Sequence, residues 1–494
     1  MSIAYDYGHE ATPIAASRPK LLLIDGQRVP SLGGRTFQSL NPATGQVIAT
    51  IAEGNEADVD RAVAAARRAF EGPWSTMRPA ERGHILFKLV ELMKQHADEI
   101  AALESLDAGK PISGVLRQDL PAAIDTLTYY AGWADKISGE TVATRSDAFT
   151  YTVREPVGVV AAIVPWNFPL MIGMWKLAPA LACGCTIVMK PAELTSLSAL
   201  RIGELALEAG LPPGVLNIVT GPGRVVGDAL VNHPDVDKVT FTGSPGVGRG
   251  ILRGAAGNFK RVSLELGGKS ANVIFDDGDV EAATKAAASG IFFNAGQVCS
   301  AGSRVLAHEK VYDEVVERLT MRAKALRMGD PADRSTVLGP VISEKQMKTI
   351  LDYVEIGEKE GAVLTTGGRR VGDRGYFISP AVFANVEHEM RISQEEIFGP
   401  VVSVIKFRDE ADAIRIANGT AYSLAAGVWS RDIGRVQRFA RKARAGTVWI
   451  NTYGYTDVRL PWGGERDSGF GREHGTAAIE NFTEPKAVWM NLSV

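Results

Sequence analysis

The chain has 494 residues, enough for about two or three domains of ordinary size. Its 54 basic and 57 acidic residues give a formal net charge of −3, with 45% hydrophobic and 22% charged residues. That balance excludes a basic field for nucleic acid and a polybasic membrane patch, and no apolar run is long enough to span a bilayer.

The stretch from Met1 to Lys20 has no apolar core flanked by basic residues, so a cytoplasmic protein without a secretory leader is expected. The cysteines are Cys183, Cys185 and Cys299, an odd and sparse set that suits a reducing compartment. Cys183 and Cys185 have no second pair to complete a zinc site. They are expected to be small buried apolar residues, and no metal is expected.

A helix is expected over 118–133, followed by a polar, β-prone stretch over 135–152. Short β-branched runs then alternate with helical patterns from Val157 to Phe275. Strands are expected at 157–165, 186–190, 215–219, 238–241, 261–265 and 272–275. Helices are expected at 170–182, 196–209 and 224–232, with another after Gly243. This alternation predicts a doubly wound parallel sheet, which binds ligands beyond the carboxyl ends of its strands. Asn167, Lys190, Gly243 and Glu265 all fall at or just after such ends.

A second α/β series runs over 280–450 and predicts a separate lobe. Its helices are expected at 280–292, 311–327 and 344–360, with strands at 401–407 and 446–450. The tail over 483–494 is strand-like and, with 135–152, fits neither lobe. The two segments together suggest an exposed arm that adds strands to a partner subunit.

The chemistry centres on Cys299, set among Gly296, Ser300, Ala301 and Gly302. Small neighbours leave room for a substrate, and a thiolate is a nucleophile whose pKa is set locally. A carbonyl attacked by sulfur becomes an oxyanion, which fixed N–H donors stabilise. Asn167, held between Trp166 and Phe168, has a side-chain amide suited to that task, with the backbone N–H of Cys299 as second donor. A hydride leaving the carbon needs an acceptor that no side chain provides, and nicotinamide is the expected one.

The run Gly221-Pro222-Gly223-Arg224-Val225-Val226-Gly227 approaches a dinucleotide fingerprint but has one residue too many, and is read as a loop and helix start. Phe241-Thr242-Gly243-Ser244-Pro245-Gly246-Val247-Gly248 is the better phosphate loop, since it ends a strand and opens a helix. Lys190 and Glu193 follow the preceding strand and suit ribose hydroxyls. The Glu193 carboxylate there would repel a 2′-phosphate, favouring NAD over NADP. Glu265, ahead of Gly267-Gly268, is a candidate base, with a permissive backbone to let it reach the site. Glu396 is the other acidic candidate, beside Phe398.

Four segments carry a resemblance. They are Pro165-Trp166-Asn167-Phe168-Pro169, Leu264-Glu265-Leu266-Gly267-Gly268-Lys269, the Cys299 segment from Phe292 to Arg304, and Glu395-Glu396-Ile397-Phe398-Gly399-Pro400. With Asn41-Pro42-Ala43-Thr44-Gly45 at one end and Ser468-Gly469-Phe470-Gly471-Arg472-Glu473 at the other, the chain resembles the NAD(P)-dependent aldehyde dehydrogenase superfamily. It looks like the broad, non-acylating group that acts on phenylacetaldehyde and betaine aldehyde.

The resemblance implies Cys299 as nucleophile, Asn167 as oxyanion donor and Glu265 as general base, with Lys176 nearby. It places Lys190 and Glu193 on the adenine ribose, and Trp166, Gly243 and Ser244 near the pyrophosphate. Pro165, Gly248 and Leu266 join the cofactor contacts, and Glu396 and Phe398 lie at the nicotinamide end. The substrate funnel maps to Phe168, Ile172, Trp175, Phe293, Val298, Ser300, Tyr455, Thr456 and Trp462.

The implied α/β fold has two doubly wound parallel-sheet lobes and a β-strand oligomerisation arm. The NAD-binding domain covers 1–134 and 156–266, the catalytic domain 267–467, and the arm 135–155 and 483–494. Strand addition gives a homodimer or homotetramer, and the other partner is a small aldehyde. An apolar arylalkyl or aliphatic aldehyde suits the aromatic wall best. An aminoaldehyde or betaine aldehyde comes second, with Asp457 assisting, and a carboxylate-bearing semialdehyde third, with Arg459 assisting.

Gly463-Gly464-Glu465-Arg466-Asp467 departs from the Gly-Gly-Tyr-Lys of many relatives, near the substrate mouth or a subunit contact. Two rival readings remain: a thiol hydrolase pairing Cys299 with a histidine, and a catalytically inactive binding module.

Overall fold

A computed structural model describes residues 19–493. Most of the Met1–Lys20 stretch read for a leader, the start of the 1–134 segment and the final residue of the arm lie outside them.

β1 (Leu22–Ile24) and β2 (Gln27–Val29) form a hairpin, and β3 (Thr36–Leu40) pairs with β4 (Val47–Ala52). A helical layer follows, ending in a π-helical turn, Val115–Asp119, that runs into the Leu120–Ala131 helix. β5 (Ala148–Pro156) stands outside the sheets. Then come β6 (Val159–Ile163), β7 (Thr186–Lys190), β8 (Leu216–Ile218), β9 (Lys238–Thr242) and β10 (Arg261–Glu265). These five are parallel in the order β8-β7-β6-β9-β10. Every residue of β6, β7 and β9 is buried, as strands of a parallel sheet covered on both faces are.

The expected helix over 224–232 begins instead as a π-helical turn, Gly223–Gly227. The strand expected to close this first series does not belong to it. β11 (Ala271–Ile274) lies inside the second sheet, between β12 (Arg304–His308) and β17, which spans Ala425–Trp429. An apolar run shows that a strand is buried but not in which sheet, and Leu266–Ser270 crosses from one sheet to the other.

β13 (Val363–Thr366), β14 (Ala381–Ala384) and β15 (Val401–Phe407) fill one side of the second sheet. β16 (Tyr422–Ser423) precedes β17, and β18 (Thr447–Ile450) forms the other edge. Its order is β13-β14-β15-β12-β11-β17-β18, parallel except at β13. β19 (Glu465–Arg466) pairs with β16, and β20 (Gly469–Phe470) returns antiparallel to β10. The departing segment therefore bridges the lobes, with Asp467 also holding Arg249 at 2.8 Å.

Residues 135–147 are irregular apart from an isolated bridge at Thr141, so the arm's strand starts later than the sequence suggested. It pairs antiparallel with β21 (Thr483–Asn491) along all 9 residues of each. The two segments unplaced by the sequence thus pair with one another. Phe149, Trp489, Met490 and Leu492 lie exposed on or beside this ribbon.

Candidate active site

The carboxyl ends of β6, β7, β9 and β10 carry Asn167, Lys190, Gly243 and Glu265, as the doubly wound arrangement requires. In the second sheet the rule reverses. Cys299 and Glu396 precede β12 and β15, so that sheet contributes loops ahead of its strands.

The thiol loop begins where the Val280–Phe292 helix ends. Asn294 and Ala295 take left-handed backbone angles, φ 48° and 52°, and Gly296 follows at 72°. Left-handed non-glycine residues cost about 1–3 kcal/mol each, so surrounding bonds must hold them. The Gln297 side chain does so, donating to Asn294 O at 3.1 Å and accepting from Ile342 N at 2.9 Å. At Gly296 a Cβ would lie 2.0 Å from the Gly399 carbonyl oxygen, so only glycine fits.

Cys299 is half-buried beyond this turn. Asn167 is buried, and its Nδ2 donates to Gln297 O at 2.9 Å, two residues ahead of the thiol. A side-chain amide has a second N–H, which leaves one donor for a substrate oxygen. Gly267 and Gly268 serve close approach rather than mobility. A Cβ on Gly267 would fall 2.1 Å from the Glu396 carboxylate, and one on Gly268 would fall 2.3 Å from Cys299 O.

Burial pushes the Cys299 thiol up to about 12, reinforced by the negative charges of Glu265 and Glu396. Burial likewise raises Glu265 well above the carboxylate range, Glu473 adds to this, and Lys176 and Arg472 oppose it. Lys176 is buried, ion-paired with Glu473 and within 3.2 Å of Thr240 Oγ1. Glu396 is raised to about 7 by burial, while Gly268 N donates to it at 2.9 Å. Burial thus favours the neutral form of the thiol and of both carboxyls.

The residues assigned to a dinucleotide lie at the carboxyl ends of β7, β9 and β10 and in the loops after them, or flank them. Ser244 caps the Pro245–Ala255 helix, whose first turn is exposed, and a Cβ on Gly246 would meet nothing within 4 Å. Free N–H groups there suit a pyrophosphate. Gly248 packs against Leu266, where a Cβ would sit 3.0 Å from a methyl carbon. Lys190 is buried with its ammonium pKa lowered by that burial and the Glu193 charge opposing the shift, and Nζ donates to its neighbouring carbonyl, Pro191 O, at 2.9 Å. Glu193 accepts from Gly223 N at 3.1 Å, so the imperfect glycine run lies against Glu193. Pro165 and Trp166 are half-buried, and the Trp166 ring meets Phe398 edge-on at 5.2 Å.

The apolar wall gathers most of its expected members. Phe168, Ile172, Trp175 and Trp462 share one buried cluster, with Phe293, Val298 and Cys299 packed against it. Phe168 lies 6.0 Å from Phe293, and Trp175 lies 6.0 Å from Trp462. Ser300 is tied down through its carbonyl, which accepts from Tyr453 Oη at 2.9 Å. Tyr455 and Thr456 are exposed and outside the cluster. Trp449 and Tyr453 belong to the cluster instead, with rings 4.6 Å apart. Trp449 lies in β18 and Tyr453 follows it, and their aromatic character was the only signal available. Asp457 and Arg459 bind each other in a two-point contact of 2.8 and 2.6 Å.

Cys183 and Cys185 are buried with raised thiol pKa values, as small core residues are. Among the described residues no group of His, Cys, Asp or Glu is placed to hold a metal ion, and no helix is long and apolar enough to cross a membrane.

Two parallel sheets whose strand ends meet over a half-buried thiol, with an open helix start beside it, describe a nucleotide-dependent oxidoreductase. The aldehyde dehydrogenase family matches residues 29–488, and the chain belongs to it. An aldehyde dehydrogenase of Emericella nidulans is 49% identical over 484 residues, covering 98% of this chain and 97% of the relative. The NAD+ complex structure of a Bacillus cereus aldehyde dehydrogenase is 48% identical, with a TM-score of 0.95 over 96% of this chain and 97% of that one. The indole-3-acetaldehyde dehydrogenase of P. syringae is 43% identical, with a TM-score of 0.95 over 97% of each chain. The protein is thus an oxidoreductase acting on aldehydes with a nicotinamide dinucleotide, which disposes of the hydrolase and inactive readings.

Proposed function

We propose that this enzyme oxidises an apolar arylalkyl or medium aliphatic aldehyde to its acid, using NAD in preference to NADP, through a thioester on Cys299. The observation that carries the residue roles is the 2.9 Å bond from Asn167 Nδ2 to Gln297 O, which ties the oxyanion donor to the thiol loop. The Cys299 sulfur, its thiol proton given up to solvent, adds as thiolate to the carbonyl carbon, forming a thiohemiacetal. The second Asn167 N–H and the Cys299 backbone N–H hold the oxyanion, an effect worth about 3 kcal/mol per donor. Lys190 and Glu193 at the adenine ribose, Ser244 at the pyrophosphate and Glu396 at the nicotinamide end would hold NAD, whose nicotinamide would supply the hydride acceptor. Glu265 then draws a proton from water, which attacks the thioester and frees the acid, while Lys176 and Glu473 set the charge around that base.

The substrate class rests on the wall. Phe168, Ile172, Trp175 and Trp462 belong to the buried apolar cluster against which Phe293, Val298 and Cys299 pack, and a full-sized apolar group buried against such surface gains about 1.5–3 kcal/mol. Asp457 and Arg459 neutralise each other, which removes the lone charge that a cationic or anionic aldehyde would seek. The P. syringae relative, an indole-3-acetaldehyde dehydrogenase, points the same way. We expect kcat/KM for phenylacetaldehyde and hexanal to exceed that for aminobutyraldehyde, betaine aldehyde and succinic semialdehyde by at least about tenfold. Succinic semialdehyde or betaine aldehyde leading the series would overturn the assignment.

We divide the chain into a cofactor domain (1–134 and 156–266), a catalytic domain (267–467) and an arm (135–155 and 483–494), following the two sheets and the β5–β21 ribbon. We further assign it to the cytoplasm, in keeping with three free cysteines, and to a homodimer or homotetramer. Trp489 is 63% exposed and Met490 50% exposed on a two-stranded ribbon, a combination that invites a second copy. Sedimentation should show a dimer or tetramer for the native chain and a smaller species for Trp489→Glu combined with Phe149→Glu. A native monomer would remove the proposal.

A further inference from the structure

Lys110 carries no motif, yet its side chain is only 3% exposed and it lies beneath the oxyanion donor. It follows the Ala97–Ala108 helix through Gly109, whose φ is +71°. Lys110 Nζ donates to the backbone oxygen of Asn167 at 3.1 Å and stands 3.7 Å from the centre of the Phe168 ring. It is ion-paired with Asp119, the last residue of the π-helical turn. The same Asn167 oxygen accepts from Asn294 Nδ2 at 3.0 Å. One carbonyl is therefore gripped from two sides, by an ammonium rooted in the helical layer and by the strained turn that leads to the thiol. Three residues on, Glu104 Oε1 accepts from Leu170 N at 3.2 Å. The segment is pinned at the Asn167 oxygen, the Phe168 ring and the Leu170 N–H.

Lysine is almost never fully buried unless it is paired, because its ammonium loses its water. This one is paired, and the bonds it makes in exchange go to the backbone of the residue whose side chain must be aimed. π-Helical turns also concentrate at functional sites. We infer that Lys110, braced by Asp119, is a positioning residue for aldehyde oxidation. It fixes the Asn167 backbone so that the side-chain amide stays registered on the oxygen above Cys299. The inference rests on the reading of Asn167 as oxyanion donor.

The test is a double-mutant cycle. Lys110→Met and Lys110→Met/Asp119→Asn are made in the native chain and in Asn167→Ala, the paired variant avoiding an orphaned buried carboxylate. Two rates are read: the single-turnover burst of NADH with phenylacetaldehyde, and hydrolysis of 4-nitrophenyl acetate without NAD, which also builds an oxyanion. Loss of a well-aimed donor costs up to about 100-fold, so a drop of about tenfold or more is expected in the native background. In Asn167→Ala the same substitutions should cost less than about twofold, because the group they aim is already gone. NAD affinity, read by fluorescence quenching, should hold within about twofold throughout.

An equal loss in both backgrounds would show that Lys110 acts elsewhere and would overturn the inference, as would a paired variant as fast as the native enzyme. If Asn167→Ala alone leaves both rates unchanged, the oxyanion assignment fails first and the inference falls with it.

Discussion

Replacing Cys299 with alanine is expected to abolish NADH formation, lowering kcat by at least about 10⁵-fold, the scale seen when a covalent nucleophile is removed. Neither remaining cysteine can stand in. Cys183 and Cys185 are buried in the core of the first lobe, and burial pushes the Cys185 thiol up to about 11. NAD binding should survive the change, since the assigned cofactor contacts are Lys190, Glu193, Ser244 and Glu396 rather than the sulfur. Quenching of tryptophan fluorescence by NAD checks this directly. A Cys299→Ala enzyme that keeps more than about one hundredth of the native rate would mean that the chemistry does not pass through this sulfur.

The second large effect belongs to Glu265→Gln. Amide and carboxylate have nearly the same shape, so the fold and the first chemical half should persist. A burst of one NADH per site is expected, followed by turnover slower by about 10²–10⁴-fold, the usual contribution of a general base. The pH dependence follows from the environment. Burial raises the Glu265 pKa, with Glu473 adding to it and Lys176 and Arg472 restraining it. A carboxyl must be ionised to take a proton from water. Turnover should therefore fall as pH drops through that raised value, on a limb lying above the ordinary carboxylate range. In Glu265→Gln the limb should vanish, leaving a low, flat profile. A glutamine enzyme with native steady-state turnover would assign the base elsewhere, with Glu396 the next candidate.

Residues at strand ends were the most legible part of the site. Asn167, Lys190, Gly243 and Glu265, picked out by their motifs, sit where a doubly wound sheet binds ligands, and the strand–helix alternation put them there. What the sequence hid depends on distance or on close packing. Lys110 reaches Asn167 across 57 residues, and no local pattern announces such a contact. The Gly267-Gly268 pair read as flexibility, but its neighbours show that it makes room for the Glu396 carboxylate and the Cys299 carbonyl. β11 was assigned to the wrong series because fully buried strands look alike in either sheet. Tyr455 and Thr456 were taken for wall residues, yet the chain holds them in solvent and turns Trp449 and Tyr453 inward. Side-chain direction in an irregular loop has no period to read.

The central claim is that this one sulfur carries the acyl group. Mass spectrometry of Glu265→Gln, mixed with NAD and phenylacetaldehyde and quenched in acid after the burst, tests it most directly. The peptide holding Cys299 should gain the mass of the aldehyde less a hydride and a proton, and should stay unmodified when NAD is omitted. Stoichiometric NADH with Cys299 unmodified, or the same added mass on Cys183 or Cys185, would contradict the account.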